Sequence, residues 1–196
     1  FSIFFINHIN LRITLFAFEN TFNMTTIRKA SPTDVELLSQ LGRQTFIESH
    51  GHSAATENVE TYINTAYDPE ACKQELEDAN NIYHFIYYKD QPAGFSKIIF
   101  NNVAPGVAAT NITKLERIYV LKTFYNMKLG LALLNFIIEL SKSHNQKGMW
   151  LYTWVENERA INFYKKAGFT IIGSHDFRIS ATHTNPNHRM YLEYGE

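Results

Sequence analysis

Residues 157–169 read Asn-Glu-Arg-Ala-Ile-Asn-Phe-Tyr-Lys-Lys-Ala-Gly-Phe. On a helix, Ala160 and Tyr164 would share one face because they are four residues apart, and Asn157 would lie one turn earlier. A small residue at position 160 would let a ligand lie close to the helix, with the phenol of Tyr164 pointing along the same groove. The pattern also suits an amphipathic helix that ends at Gly168, in which Tyr164 is an interface aromatic with a satisfied hydroxyl.

The wider pattern Asn-x-x-Ala-x-x-Phe-Tyr-x-x-x-Gly-Phe resembles the second acetyl-CoA motif of the GNAT acetyltransferase superfamily. Six fixed positions, each matched by chance about one time in twenty, make a coincidence rarer than roughly one in 10⁵. The resemblance extends over residues 25–194. It implies an α/β (α+β) fold, with a mixed, mostly antiparallel central sheet flanked by helices.

Residues 115–120, Leu-Glu-Arg-Ile-Tyr-Val, resemble the central strand of that superfamily. In the family, a loop of the form Arg/Gln-x-x-Gly-x-Gly/Ala follows and turns main-chain N–H groups toward a pyrophosphate at a helix N-terminus. Here the corresponding residues are 125–130, Tyr-Asn-Met-Lys-Leu-Gly. Lys128 replaces the first glycine and Tyr125 the leading Arg/Gln. Lys128 either pairs with a phosphate or crowds the approach that glycine allows.

The resemblance therefore implies that acetyl-CoA is the co-substrate, held between the central strand and the helix that begins near Asn157. Asn157 would bind the pantetheine arm, cap the helix, or do both. The expected cofactor-binding residues are Ile118, Tyr119, Val120, Tyr125, Asn126, Met127, Lys128, Leu129, Gly130, Leu131, Asn157, Ala160 and Lys166.

The implied reaction is direct attack of a primary amine on the acetyl thioester. Main-chain N–H groups around Tyr119 or Val120 would stabilise the oxyanion. Tyr164 would protonate the departing thiolate, since a phenol of pKa about 10 can act as its general acid. Glu116 is the first choice for the base, because strand alternation would place it on the same face as Ile118 and Val120. The alternative for Glu116 is an exposed acid or a salt-bridge partner.

Flanking segments, including residues 45–48 and 154–160, resemble the PaiA-type polyamine acetyltransferases and imply a small polyamine-like cation as substrate. Two alternatives remain open: acetylation of a protein or peptide amine, and a non-catalytic acyl-CoA-binding regulatory module. Several acids could line an entrance for a cation, although a solvated helix face explains them equally well. These acids are Glu48, Glu57, Glu60, Asp68 and Glu70.

Composition limits the partners of the protein. A formal net charge of −1 over 196 residues lacks the basic footprint of a nucleic-acid binder. A single cysteine, Cys72, cannot form an intrachain disulfide; it suits a cytoplasmic protein and is expected in the core. No metal is expected, because the pairs His50/His52 and His183/His188 lack a clear third ligand. No membrane span is expected, and a homodimer is left open.

The chain divides into an N-terminal extension, residues 1–23, and a single domain, residues 24–196. The extension is either an extra strand or dimer contact, or sequence translated upstream of a start at Met24. In the domain, helix starts are expected at 31–34 and 68–70, and helices over 129–143 and 158–167. Strands are expected at 25–29, 82–88, 93–100, 114–121, 149–155, 169–179 and 189–194.

Overall fold

The computed structural model describes residues 24–195, so the expectations for residues 1–23 lie outside the described residues. The strands are β1 (Thr25–Lys29), β2 (Ile82–Tyr88), β3 (Gln91–Ile99), β4 (Thr113–Val120), β5 (Gly148–Trp154), β6 (Thr170–Arg178) and β7 (Thr184–Glu193). The α-helices are α1 (Val35–His50), α2 (Thr56–Ala66), α3 (Pro69–Glu77), α4 (Leu129–Ser143) and α5 (Glu158–Lys166). Single 3₁₀ turns lie at Pro32–Asp34 and Lys122–Phe124.

The seven strands form one sheet in the order β1-β2-β3-β4-β5-β7-β6. Every neighbouring pair is antiparallel except β4 and β5, which are parallel. This confirms the mixed, mostly antiparallel sheet expected from the sequence. The β4–β5 pairing covers only Thr113–Leu115 against Met149–Leu151. Strand β4 continues to Val120 and β5 to Trp154, but the two strands do not pair with each other beyond Leu115 and Leu151. A cleft therefore opens between them.

Helices cover both faces of the sheet. On one face, α1, α2 and α3 bury a cluster that includes Leu38, Val59 and Phe95. On the other face, α4 and α5 bury a cluster that includes Ile137 and Tyr164. The cleft at β4 thus has a helical layer on either side of it.

Most local signals gave the expected elements. Helix α4 has the expected bounds, and Asp68 caps α3 by accepting a hydrogen bond from the Glu70 N–H at 2.9 Å. Cys72 is buried in the core, as expected. Helix α2 was not expected, because its sequence Thr-Glu-Asn-Val-Glu-Thr-Tyr-Ile-Asn-Thr-Ala is mostly polar and no side chain caps its start.

A β-bulge in β4 changes which residues share a face. Lys97 pairs with Arg117 but Ile98 pairs with Leu115, so Glu116 is an extra residue without a partner in β3. One extra residue shifts the alternation of side chains beyond it. The expectation that Glu116 shares a face with Ile118 and Val120 is therefore wrong.

Candidate active site

A cavity of about 760 Å³ lies in the cleft between β4 and β5 and extends to both faces of the sheet. We name its two halves by their walls. The helix-side groove is lined by Tyr125, Asn126, Lys128, Leu129, Gly130, Leu131, Asn157, Arg159, Ala160, Phe163, Tyr164 and Lys166. The aromatic basin is lined by Phe46, His50, Tyr62, Glu116, Arg117, Tyr119, Tyr152, Trp154, His175 and Phe177.

The start of α4 forms one wall of the groove. Lys128 precedes the helix in a left-handed conformation, with φ 60° and ψ 11°, and its carbonyl accepts from the Ala132 N–H at 2.9 Å. The first N–H groups of a helix have no acceptor within it, and the helix dipole adds positive potential there. Gly130 has no side chain to fill the space between Val120 and Phe163: a Cβ there would lie 3.8 Å from Val120 Cγ2 and 4.0 Å from Phe163 Cζ. This wall is suited to an anionic group.

Helix α5 forms the opposite wall. The Asn157 side-chain oxygen accepts a hydrogen bond from the Ala160 N–H at 3.1 Å. Asn157 therefore caps the helix, which was one of the two roles expected for it. Ala160, Tyr164 and Lys166 all line the cavity. The small side chain at position 160 leaves space beside the helix over a full turn.

Twelve of the thirteen residues expected at the cofactor site line this cavity. The exception is Met127, whose side chain packs with the buried cluster of Leu129 and Leu133. The expectation for Met127 concerned its main-chain N–H in the loop, and it stays a prediction. The cavity also brings Tyr164 and Glu116, the two expected catalytic residues, to its lining.

Tyr164 lies at the junction of the two halves and is only 8% exposed. Its ring makes edge contacts with Phe163 and Phe169. Within residues 24–195 its hydroxyl has no hydrogen-bond partner, unlike the satisfied hydroxyl of an ordinary interface tyrosine. Burial raises the pKa of Tyr164 well above its usual value, so the phenol stays protonated at neutral pH.

Glu116 faces the aromatic basin. Its Oε2 lies 2.5 Å from Lys114 Nζ, and the Lys114 ammonium lies over the rings of Trp150 and Tyr152. The salt-bridge alternative is therefore present in the structure. A carboxylate that lines a cavity and is also paired can still accept a proton, but its charge is largely balanced.

A buried polar network that the sequence did not reveal supports the basin. Arg117 Nη1 donates to Tyr83 Oη at 2.8 Å, and Tyr83 Oη donates to Glu75 Oε2 at 2.8 Å. Lys97 Nζ donates to the same Glu75 oxygen at 2.5 Å. Although burial acts to raise it, these donors lower the pKa of Glu75 below its ordinary value. The guanidinium of Arg117 is thus held in a network and is not a free cation in the basin.

Aromatic rings from separate elements form the basin wall. Ring centroids lie 4.4 Å apart for Phe46 and Tyr62, and 5.9 Å apart for Tyr62 and Phe177. The His50 ring lies 6.0 Å from that of Tyr119. Burial, with the neighbouring His52, lowers the pKa of His50 to about 4, so this imidazole is neutral near pH 7. These rings lie far apart in sequence, and no local motif indicated them.

The acids expected near an entrance do not line the cavity. Glu48 Oε2 accepts a hydrogen bond from the Lys122 N–H at 2.7 Å, and Asp68 caps α3. Glu57, Glu60 and Glu70 are exposed. Among the described residues that line the cavity, Glu116 is the one carboxylate. Of the two alternatives given for these acids, the structure favours the helix-face and capping one.

Contacts place three of the four histidines in the two pairs noted in the sequence. The rings of His50 and His52 lie against Trp154, and His183 Nε2 lies 2.9 Å from Asn185 Oδ1. Across residues 24–195 no cluster of three or more His, Cys, Asp or Glu side chains could hold a metal ion. None of the helices in this part of the chain has the length and apolar character needed to cross a membrane.

Known proteins match this chain in sequence and in fold. The profile of the family described as "Acetyltransferase (GNAT) family" matches residues 44–169, more than half of the 196 residues. A relative from Lactobacillus delbrueckii subsp. lactis, called "Uncharacterized N-acetyltransferase in pepI 3′region", is 25% identical over 151 residues, covering 77% of this chain and 87% of its own length.

Two solved structures show the same fold. The PaiA N-acetyltransferase of Thermoplasma acidophilum, crystallised with coenzyme A, superposes with a TM-score of 0.71 at 21% identity, covering 87% of this chain and 99% of its own. The ribosomal-protein-S18-alanine N-acetyltransferase of Escherichia coli gives a TM-score of 0.60 at 16% identity, covering 87% of this chain and 94% of its own.

Proposed function

We propose a function from one premise: the chain belongs to the acetyltransferase (GNAT) family. It is therefore an N-acetyltransferase, which transfers an acetyl group from acetyl-CoA to an amine. Our proposal concerns which of its residues do this and which amine accepts the group. The observation that carries it is the position of Tyr164, a buried phenol without a hydrogen-bond partner in residues 24–195, between an anion-suited groove and an aromatic basin.

The helix-side groove holds acetyl-CoA in this proposal. The N–H groups of Leu129, Gly130 and Leu131 bind the pyrophosphate, and the missing side chain at Gly130 lets it approach the helix. Ala160 leaves room for the pantetheine arm along α5. The fit is supported by the chemistry of the wall, since main-chain donors and a helix dipole both favour an anion.

The unpaired edge of β4 and the phenol of Tyr164 supply the chemistry. Beyond Leu115, β4 has no partner in β5, so its main-chain groups on that edge face the cleft. An N–H near Tyr119 or Val120 stabilises the acetyl oxygen as it becomes negative during attack by the amine. Tyr164, whose raised pKa keeps it protonated at neutral pH, gives its proton to the sulfur of the leaving thiolate. The proton that the nitrogen loses as the amide forms restores the phenol.

The amine enters through the aromatic basin and loses its proton to Glu116 directly or through water. An alkylamine with a pKa near 10.4 is only about one part in 10³ free base at neutral pH, so a proton must be removed before the amine can attack. Aromatic faces attract an ammonium group by cation–π interaction, and Glu116 is the nearby carboxylate. A small primary amine fits this chemistry, with a polyamine-like cation as the first candidate from the resemblance to PaiA-type enzymes.

Calorimetric titration with acetyl-CoA, followed by a free-thiol assay, tests this function. The amine panel contains spermidine, a monoamine of similar length, an arylalkylamine and an N-terminal peptide. Binding and thiol release with spermidine support the full proposal, whereas release with another amine only moves the substrate assignment. Release with the peptide alone favours a protein substrate. Binding of acetyl-CoA without release of coenzyme A thiol in the presence of any of these amines contradicts the proposed amine class.

A further inference from the structure

A stacked pair spans the helix-side groove. The Arg159 guanidinium carbon lies 3.3 Å from the centroid of the Tyr125 ring. Tyr125 belongs to the loop before α4 and Arg159 to the first turn of α5, so the contact joins the two walls. Both residues line the cavity. Resting on the function proposed above, we propose that Arg159 binds a phosphate group of acetyl-CoA and that Tyr125 positions it.

The position of Arg159 on its helix supports this role. Phe163 Cζ lies 4.0 Å from where a Cβ on Gly130 would be, so this face of α5 lies against the start of α4. Arg159 precedes Phe163 by four residues and lies on the same helix face, one turn away. The Cβ of Arg159 therefore lies about one helical turn, roughly 5–6 Å along α5, from that of Phe163, which faces the anion-suited helix start.

The charges of the cavity leave Arg159 available for an anion. Lys114 is paired with Glu116, and Arg117 donates to Tyr83. Arg159 makes no ion pair with any carboxylate of residues 24–195. A guanidinium that stacks through its face keeps the N–H groups at its edges free for bidentate hydrogen bonds to phosphate oxygens.

The stack also explains why a tyrosine at position 125 suits a phosphate site although it brings no charge. An exposed arginine loses rotamer freedom when it binds a ligand, which weakens binding. The Tyr125 ring holds the guanidinium in place before binding, so less of this freedom remains to be lost. Tyr125 thus acts through Arg159 as a positioning residue.

Titration calorimetry of Arg159→Gln with three probes tests the proposal. These are coenzyme A, dephospho-coenzyme A, which lacks the 3′-phosphate, and pantetheine, which lacks every phosphate. We expect the Kd for coenzyme A to rise about 10- to 100-fold, as for loss of hydrogen bonds to a charged group, and the Kd for pantetheine to stay within twofold. An equal loss with dephospho-coenzyme A assigns the contact to the pyrophosphate. No loss with it assigns the contact to the 3′-phosphate.

Lys165→Gln is the matched control, since Lys165 is an exposed cation on the same helix that does not line the cavity. Tyr125→Phe keeps the ring and should bind coenzyme A normally, whereas Tyr125→Ala should weaken binding several-fold. Adding Tyr125→Ala to Arg159→Gln should cost little more, because the two residues act as a unit.

The proposal is overturned if Arg159→Gln behaves like Lys165→Gln, or if it weakens pantetheine as much as coenzyme A. It is also overturned if the effects of Tyr125→Ala and Arg159→Gln simply add. Wild-type protein that fails to bind coenzyme A would instead contradict the proposed function, so the two failures can be told apart. Thermal melts of each variant check that the fold is intact.

Discussion

The helix-side groove and the aromatic basin belong to one cavity but are built in different ways. Two continuous segments, residues 125–131 and 157–166, supply most of the groove, and its main-chain groups matter as much as its side chains. The basin is assembled from separate side chains on α1, α2, β4, β5 and β6. Main-chain groups therefore form much of the groove, whereas each ring of the basin can set the shape that an amine meets.

Strand β4 lies between the helix-side groove and the aromatic basin, and its bulge at Glu116 sets which side chains face each of them. Ile118 and Val120 pack toward α4, while Tyr119 packs with the cluster under α1 and α2. Groove variants should therefore change the Kd for acetyl-CoA, and basin variants should change the KM for the amine. Substitution of Tyr164, where the groove meets the basin, should change kcat.

The largest effect is expected for Tyr164→Phe, which removes only the hydroxyl. Loss of a general acid should lower kcat by about 10²- to 10⁴-fold, with the Kd for acetyl-CoA within about twofold of wild type. Steady-state kinetics and calorimetry measure the two quantities. Tyr88→Phe, on β2 and outside the cavity lining, is the control. An unchanged kcat would remove Tyr164 from the reaction and leave it an interface aromatic.

A smaller effect is expected for Glu116→Gln, which tests the basin. If Glu116 accepts the proton of the amine, kcat/KM should fall about tenfold, and most at low pH, where free amine is scarcest. The pH profile from 6 to 9 measures this change. Glu57→Gln, an exposed acid of α2 outside the cavity lining, is the control.

A fall in kcat/KM in Glu116→Gln could also come from the loss of the Lys114–Glu116 ion pair. Glu116→Gln leaves the Lys114 ammonium without its carboxylate, and that cation would repel a cationic amine. The double variant Lys114→Met/Glu116→Gln removes both charges. Activity restored in the double variant would mean that Glu116 only balances Lys114, whereas a persistent defect at low pH supports its role as base.

The same contrast explains what the sequence could predict. The groove was predictable because its residues are contiguous and its helix begins at a recognisable loop; twelve of the thirteen expected residues line the cavity. The face of Glu116 was not predictable, because a bulge depends on the register with β3 and one residue reverses the alternation. The basin was not predictable either, since Phe46 and Phe177 meet Tyr62 only after the sheet has formed.

A third prediction tests how dry the basin is. Burial lowers the pKa of His50 to about 4, below its unfolded value near 6.5. The unfolded chain therefore binds more protons between these values, so stability from neutral His50 is complete above pH 6.5 and is lost as the pH falls toward 4. In His50→Phe, the free energy of unfolding should fall less between pH 7 and 4.5 than in wild type, by about 2 kcal/mol.

Denaturant unfolding at the two pH values measures this difference. His144→Phe is a suitable comparison, because His144 is an exposed histidine outside the cavity that also stacks on an aromatic ring, that of Phe100. An equal pH dependence in wild type and His50→Phe would mean that water reaches the His50 ring and that the basin is wetter than its aromatic lining indicates.

The smallest effect is expected at Lys128, on the groove side. Its φ of 60° is unfavourable for a residue with a Cβ by about 1–2 kcal/mol, while glycine in the unfolded chain has about 0.5–1 kcal/mol more entropy to lose. Lys128→Gly should therefore stabilise the fold by no more than about 1.5 kcal/mol, measured by denaturant unfolding. A clear loss of stability would mean that the lysine side chain itself holds the loop.

Lys128→Asn separates the charge of this residue from its backbone, because asparagine tolerates the left-handed conformation but carries no charge. If the ammonium pairs with a phosphate, both variants should weaken acetyl-CoA binding, and by similar factors. If the side chain crowds the approach to Gly130, Lys128→Gly should bind more tightly than Lys128→Asn. With Arg159 already placed at this groove, the second result would mean that the loop relies on a cation from the facing helix and keeps its own lysine at some cost in affinity.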